Sequence, residues 1–121
     1  MARIRTMKPA LFTSRNVSSY SDALFRTFAG LFCYCDDKGR GEDDPDLIKA
    51  EIAPRIKRKT PKVIESHLAE LAAESDPPLC RYEVDGIRYL HLVNFGEHQR
   101  INRPTPSKLP PCPKHEPEGL F

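Results

Sequence analysis

Long apolar runs are missing from this sequence of 121 residues, and none approaches the roughly 20 consecutive apolar residues that a membrane-spanning helix needs. Also missing is the apolar core of a secretory leader, because the opening Met1-Ala2-Arg3-Ile4-Arg5 turns basic at once. Membrane insertion is excluded on this reading, and a cytoplasmic location is expected. No Gly-rich phosphate loop and no Gly-x-Ser-x-Gly elbow occurs. The acidic residues cluster in loops, without the paired spacing that general acid–base chemistry uses. Cysteine is sparse, with four in all, and Cys33-x-Cys35 is too closely spaced for a zinc knuckle. Residues i and i+2 of a helix also point apart, so both are expected as core or near-core thiols. Cys80 and Cys112 complete the set, and in a reducing compartment all four are expected as thiols rather than as a disulfide scaffold. The stretch His98-Gln99-Arg100-Ile101-Asn102-Arg103 carries a His and an Asn, yet no second-histidine constellation precedes it, so a His-Asn nuclease is not expected. No enzymatic activity, metal or cofactor is expected.

What is present suits one domain with a modest core. Hydrophobic residues make up 39 % and charged residues 30 %, a soluble composition slightly poor in apolar side chains. Six of the twelve prolines fall within the last eighteen residues, which places a domain at 1–103 and a Pro-rich extended or disordered tail at 104–121. A net charge of +2 carries no general affinity for polyanions, but its distribution is uneven. Asp36, Asp37, Glu42, Asp43, Asp44 and Asp46 make one stretch acidic. Lys49, Arg55, Lys57, Arg58, Lys59 and Lys62 make the next one basic, and the N-terminus adds Arg3, Arg5, Lys8 and Arg15. Such asymmetry can mark a nucleic-acid face.

Periodicity and caps divide the chain into elements. The first residues read as a short extended piece up to Pro9, followed by a helical turn around 14–18. A helix is predicted over 21–35, with Ser21 as N-cap and Leu24, Phe28, Leu31, Phe32 and Cys35 forming one apolar stripe. It stops in the turn formers of 36–41. Asp44-Pro45 opens a second, short helix with Leu47, Ile48 and Ile52 inward, ended by Pro54. Thr60-Pro61 opens a third, running to about Glu74, with Val63, Ile64, Leu68, Leu71 and Ala72 on one face and Glu65, Ser66, Ala69, Glu70 and Ala73 outward. Two strand-like runs, 79–84 and 87–92, flank Asp85-Gly86, the signature of a type I′ hairpin. Its register pairs Tyr82 with Tyr89, Glu83 with Arg88 and Val84 with Ile87.

Three to four helices followed by a two-stranded hairpin describe an α+β winged helix-turn-helix, with the hairpin as wing and the third helix as recognition helix. The expected function is double-stranded DNA binding, sequence-specific or structure-specific. Lys57, Arg58 and Lys59 precede the N-terminus capped by Thr60, where cations and unsatisfied N–H groups attract phosphate. Lys62 and Ser66 are the expected base-edge readers, and Arg81 and Arg88 the wing contacts. Glu65, Glu70 and Glu74 would repel phosphate further along, so only the first turns are expected to approach DNA. Those same glutamates support an alternative, a protein-interaction module that binds a host or phage protein.

Several segments resemble a family of phage-encoded winged-helix proteins. They are the opening 1–9 with Phe12-Thr13-Ser14, Cys35-Asp36-Asp37-Lys38-Gly39-Arg40 after an aromatic-rich helix, the helix at 47–52, Tyr82-Glu83-Val84-Asp85-Gly86, and the ending His98 to Pro104 before a Pro-rich stretch. The resemblance spans about residues 1–110 and is to the N-terminal domains of phage replication initiators and DnaD-like replisome organisers. It implies a part in replication initiation or transcriptional regulation, and makes Arg100 and Arg103 available to phosphate. In longer members a second domain recruits host machinery. The sequence ends soon after the wing, so a stand-alone regulator is an equal expectation. Expected partners are double-stranded DNA, with a second copy of the chain and a host replication or transcription protein as further candidates.

Overall fold

A computed structural model describes residues 4–115. Two single-turn helices, α1 (Ala10–Thr13) and α2 (Arg15–Ser18), lead into the 13-residue α3 (Asp22–Tyr34). Then come a short strand β1 (Arg40–Glu42), α4 (Pro45–Ile52), α5 (Pro61–Ala72), the hairpin strands β2 (Leu79–Val84) and β3 (Ile87–Leu92), and a last turn of helix, α6 (Phe95–His98). Among the described residues no helix is long and apolar enough to cross a membrane.

The helix boundaries follow the caps. The Ser21 hydroxyl accepts from Leu24 N, the Asp44 carboxylate from Asp46 N and Leu47 N, and the Thr60 hydroxyl from Val63 N. Each satisfies donors that the first helical turn leaves unpaired. The prolines at the first positions of α4 and α5 do no harm there, since their missing N–H would have had no partner. At its far end α3 is closed by a distant residue. Arg5 donates to Phe32 O (2.6 Å) and Cys35 O (2.9 Å), pairs with Asp37 (3.0 Å), and lies over the Phe95 ring. This basic residue of the N-terminal segment thus closes a helix C-terminus, where positive charge is favourable.

The hairpin has the expected register, Tyr82↔Tyr89, Glu83↔Arg88 and Val84↔Ile87. Asp85 and Gly86 both take positive φ (53° and 79°), as a type I′ turn requires. The expected two strands are joined by a third, giving an antiparallel sheet of order β1-β3-β2 with Arg40↔His91 and Gly41↔Leu90. The turn formers at 36–41 therefore do more than end α3. Asp36 Oδ1 accepts from the N–H groups of Lys38 and Arg40, Gly39 turns at φ +78°, and the chain re-emerges as β1. A side chain at Gly39 would also meet the Phe95 ring at 2.7 Å.

One face of the sheet presents Leu79, Leu90 and Leu92 to the helices. They join Leu24, Phe28, Leu31 and Cys35 of α3, Ile48 of α4, and Ile64, Leu68 and Leu71 of α5, with Phe95 closing the cluster. Each such side chain contributes on the order of 1.5–3 kcal/mol relative to exposure. Cys33, expected near the core, is exposed, because only Cys35 continues the stripe. Tyr82, Val84, Ile87 and Tyr89 share one face, as expected, but that face is turned away from the helices. Over it, residues 104–115 run without helix or strand. Arg40 Nη1 donates to Leu109 O (3.0 Å), Tyr82 Oη to Pro110 O (2.7 Å), and Cys112 is fully buried. The rest of the expected tail, 116–121, lies outside the described residues.

Candidate nucleic-acid interface

The turn between α4 and α5 fixes the cations that precede α5. Lys49 Nζ donates to Ala53 O (2.9 Å) and Ile56 O (2.8 Å), and Lys59 N donates to Ile56 O (3.1 Å). This geometry turns Lys57 and Arg58 outward and Lys59 inward. Lys59 is only 4 % exposed and donates to Ala23 O of α3 at 2.7 Å. Burial, and then the neighbouring charges of Arg26 and Arg58, hold its pKa below the usual lysine value. Lys59 is therefore a structural cation between α3 and α5, a correction to its expected place among the phosphate contacts. The same charges put Arg26 and Arg58 each within electrostatic reach of Lys59, and Arg26 is exposed.

Along α5, Thr60, Lys62 and Ser66 are exposed, and the Ser66 hydroxyl turns back to Val63 O (2.8 Å). The carboxylates expected to face outward are mostly engaged. Arg81 donates to both oxygens of Asp43 (2.6 and 2.9 Å) and to both oxygens of Glu65 (2.8 and 2.7 Å). The hydrogen bonds from Arg81 hold the Glu65 carboxyl below its usual pKa. The Asp43 side chain is 2 % exposed, so this fork ties β2, α5 and the link before α4 together. Arg81 thus belongs to an internal ion-pair network, a second correction. Glu74 accepts from Tyr20 Oη at 2.7 Å, leaving Glu70 as the exposed carboxylate among the three.

Arg88 stands exposed on β3, within electrostatic reach of Glu65, and so beside the first two turns of α5. Arg100 and Arg103 are also exposed but line a groove with Tyr34, Asp36 and Asp37, at the C-terminal end of α3. Arg26 and Cys35 are nine residues apart on or beside that helix, so the two basic groups stand toward opposite ends of it, its backbone rising about 14 Å between those residues. The structure therefore brings together Lys57, Arg58, Thr60, Lys62, Ser66 and Arg88, joined by Arg26. Arg100 and Arg103 lie apart from them. Arg26 falls outside the basic stretch of the sequence. Its only sequence signal is its place one turn after the Ser21 cap, on the side of α3 opposite the stripe.

Two buried polar groups also escape sequence reasoning. His67 sits on the apolar face of α5 with Nδ1 2.7 Å from Thr27 Oγ1 of α3. Burial and the Lys59 charge lower its pKa. On the outer face of the sheet, Cys80, Cys112 and His115 converge. Cys80 Sγ is 3.5 Å from Cys112 Sγ, and Cys112 Sγ is 3.4 Å from His115 Nδ1. Burial, with the hydrogen bond from Cys112, pushes the Cys80 thiol up to about 11. Ligand spacing along the chain draws attention to Cys33-x-Cys35 and away from this trio, although Cys112 and His115 stand three apart.

No protein-family model, curated protein or solved structure matches this chain.

Proposed function

We propose that this chain is a winged helix-turn-helix protein of phage type that binds double-stranded DNA. In this reading α4 and α5 form the helix-turn-helix, the first turns of α5 approach the major groove, and the β2–β3 hairpin is the wing. The observation that carries it is the exposure of Lys57, Arg58 and Lys62 at the capped N-terminus of α5, with exposed Arg88 within electrostatic reach of Glu65 on the same helix. Phosphate binding there uses both the side-chain charges and the helix dipole. Glu65 is drawn to Arg81 and Glu74 to Tyr20, so neither carboxylate projects freely from α5, and Glu70 is the exposed one of the three. These interactions also weaken the physical support for a protein partner on that face.

Thr60 holds the α5 N-terminus in register, Lys57 and Arg58 contact phosphate, and Lys62 and Ser66 reach base edges. The proposed setting is the host cytoplasm, in replication initiation or transcriptional control, with a second copy of the chain as a further partner. The test is binding to duplex DNA across a salt titration. Affinity is expected to fall steeply as salt rises, because several phosphates are neutralised. Absence of binding at low salt would refute the proposal.

A further inference from the structure

We infer that Cys80, Cys112 and His115 form a binding site for a thiophilic divalent cation, zinc above all, that fastens the segment after Arg103 to the outer face of the sheet. The ligand atoms of the three residues all lie within 4.8 Å of one another. A tetrahedral zinc, with bonds of about 2.3 Å to sulfur and about 2.0 Å to nitrogen, sets its ligand atoms about 3.5–3.8 Å apart. The observed 3.5 Å between the sulfurs and 3.4 Å from Cys112 Sγ to His115 Nδ1 approach those edges within a few tenths of an ångström. Closing the remaining edge asks for a movement of His115, which is exposed and stands close to the end of the described segment.

The donor set selects the ion. Two sulfurs and an imidazole suit zinc and other borderline or soft metals, whereas magnesium and calcium require oxygen ligands. Charge agrees with this choice. Both cysteines are buried, and two buried thiolates are costly unless a dication neutralises them. Binding would release the two thiol protons to solvent and leave a neutral cluster. The site has a mechanical consequence. Cys80 lies on β2 opposite His91 of β3, so a metal shared with Cys112 clamps the tail onto the base of the hairpin. This inference is independent of the DNA-binding reading, since its residues lie on the sheet face opposite the helices.

The test uses the full chain, reduced and stripped of metal, then given one equivalent of zinc or cobalt(II). The expected result is one zinc retained per chain through desalting, and thiolate-to-cobalt charge-transfer absorption that zinc bleaches. Cys112→Ser and His115→Ala should each lose retention while keeping the helical and sheet signal in circular dichroism. Cys33→Ser, whose side chain is exposed and outside the cluster, should retain the metal like the wild type. Zinc should also raise the melting temperature of the wild type and protect residues beyond Arg103 from proteolysis, with neither effect in Cys112→Ser. Three results would overturn the inference: no retained metal in the wild type, equal retention in Cys112→Ser, or a Cys80–Cys112 disulfide in the protein as isolated from the cytoplasm.

Discussion

Lys57 and Arg58 differ from Lys59 and Arg81 in situation, not in chemistry. The first pair stands in water on the turn before α5. The second pair is engaged inside the fold, Lys59 on a carbonyl of α3 and Arg81 on two carboxylates. A solvated cation adds little to stability and is available to an anion that arrives from outside. An engaged one holds elements together, and its charge is already directed at groups of the fold rather than at a phosphate. The basic residues of this sequence are therefore two populations, interleaved along the chain, and substitutions should separate them.

The largest effect on folding is expected from Arg81→Ala. It strands Asp43 in a place almost closed to water, and should cost about 3 kcal/mol or more in chemical denaturation. Arg81→Lys should recover only part of this, because a single ammonium cannot reproduce the fork to both carboxylates. A destabilisation below about 1 kcal/mol for Arg81→Ala would place the network among weak surface pairs. In contrast, the double variant Lys57→Ala/Arg58→Ala should leave stability within about 0.5 kcal/mol. It should weaken binding to duplex DNA and flatten the log–log salt dependence by roughly two, one for each phosphate that is no longer neutralised.

Smaller effects sharpen the same division. Thr60→Ala removes the cap of α5 and should cost about 1 kcal/mol in stability. It should also weaken DNA binding modestly, since the frayed turn is the one that presents Lys62. The smallest effect concerns pH. His67 is held below its ordinary pKa by burial, so the unfolded chain takes up a proton more readily than the folded one. Its contribution is intact above the ordinary value of 6.5 and is lost as the pH falls from there toward the folded pKa. Melting temperatures measured across that window should decline toward acid in the wild type and decline less in His67→Gln.

Locally encoded features are legible in the sequence. Asp44-Pro45 and Thr60-Pro61 mark helix starts because cap and proline act within one turn, and Asp85-Gly86 sets the hairpin register through two φ angles. β1 is not legible, because Arg-Gly-Glu has no strand preference of its own and becomes a strand by pairing with β3. Nor is the burial of Lys59, which depends on a carbonyl 36 residues away. The outward Glu65 of the helical wheel misleads for the same reason, since Arg81 reaches it from the hairpin. Helical periodicity gives the face of a residue but not what packs against that face. The cysteine and histidine cluster under the tail is the extreme case, with Cys80 and Cys112 brought together across 32 residues by the path of a segment that has no periodicity at all.

In the proposed reading, DNA meets the turn before α5 and not the basic residues at the other end of α3. Two charge-matched double reversals test it most directly, Lys57→Glu/Arg58→Glu and Arg100→Glu/Arg103→Glu, compared by fluorescence anisotropy on one duplex at one low salt concentration. Both change the net charge equally, so any long-range effect is shared. The first is expected to abolish binding with an unchanged melting temperature, and the second to weaken it by no more than about threefold, a long-range effect below about 1 kcal/mol. Equal losses, or a greater loss from the Arg100/Arg103 variant, would contradict it.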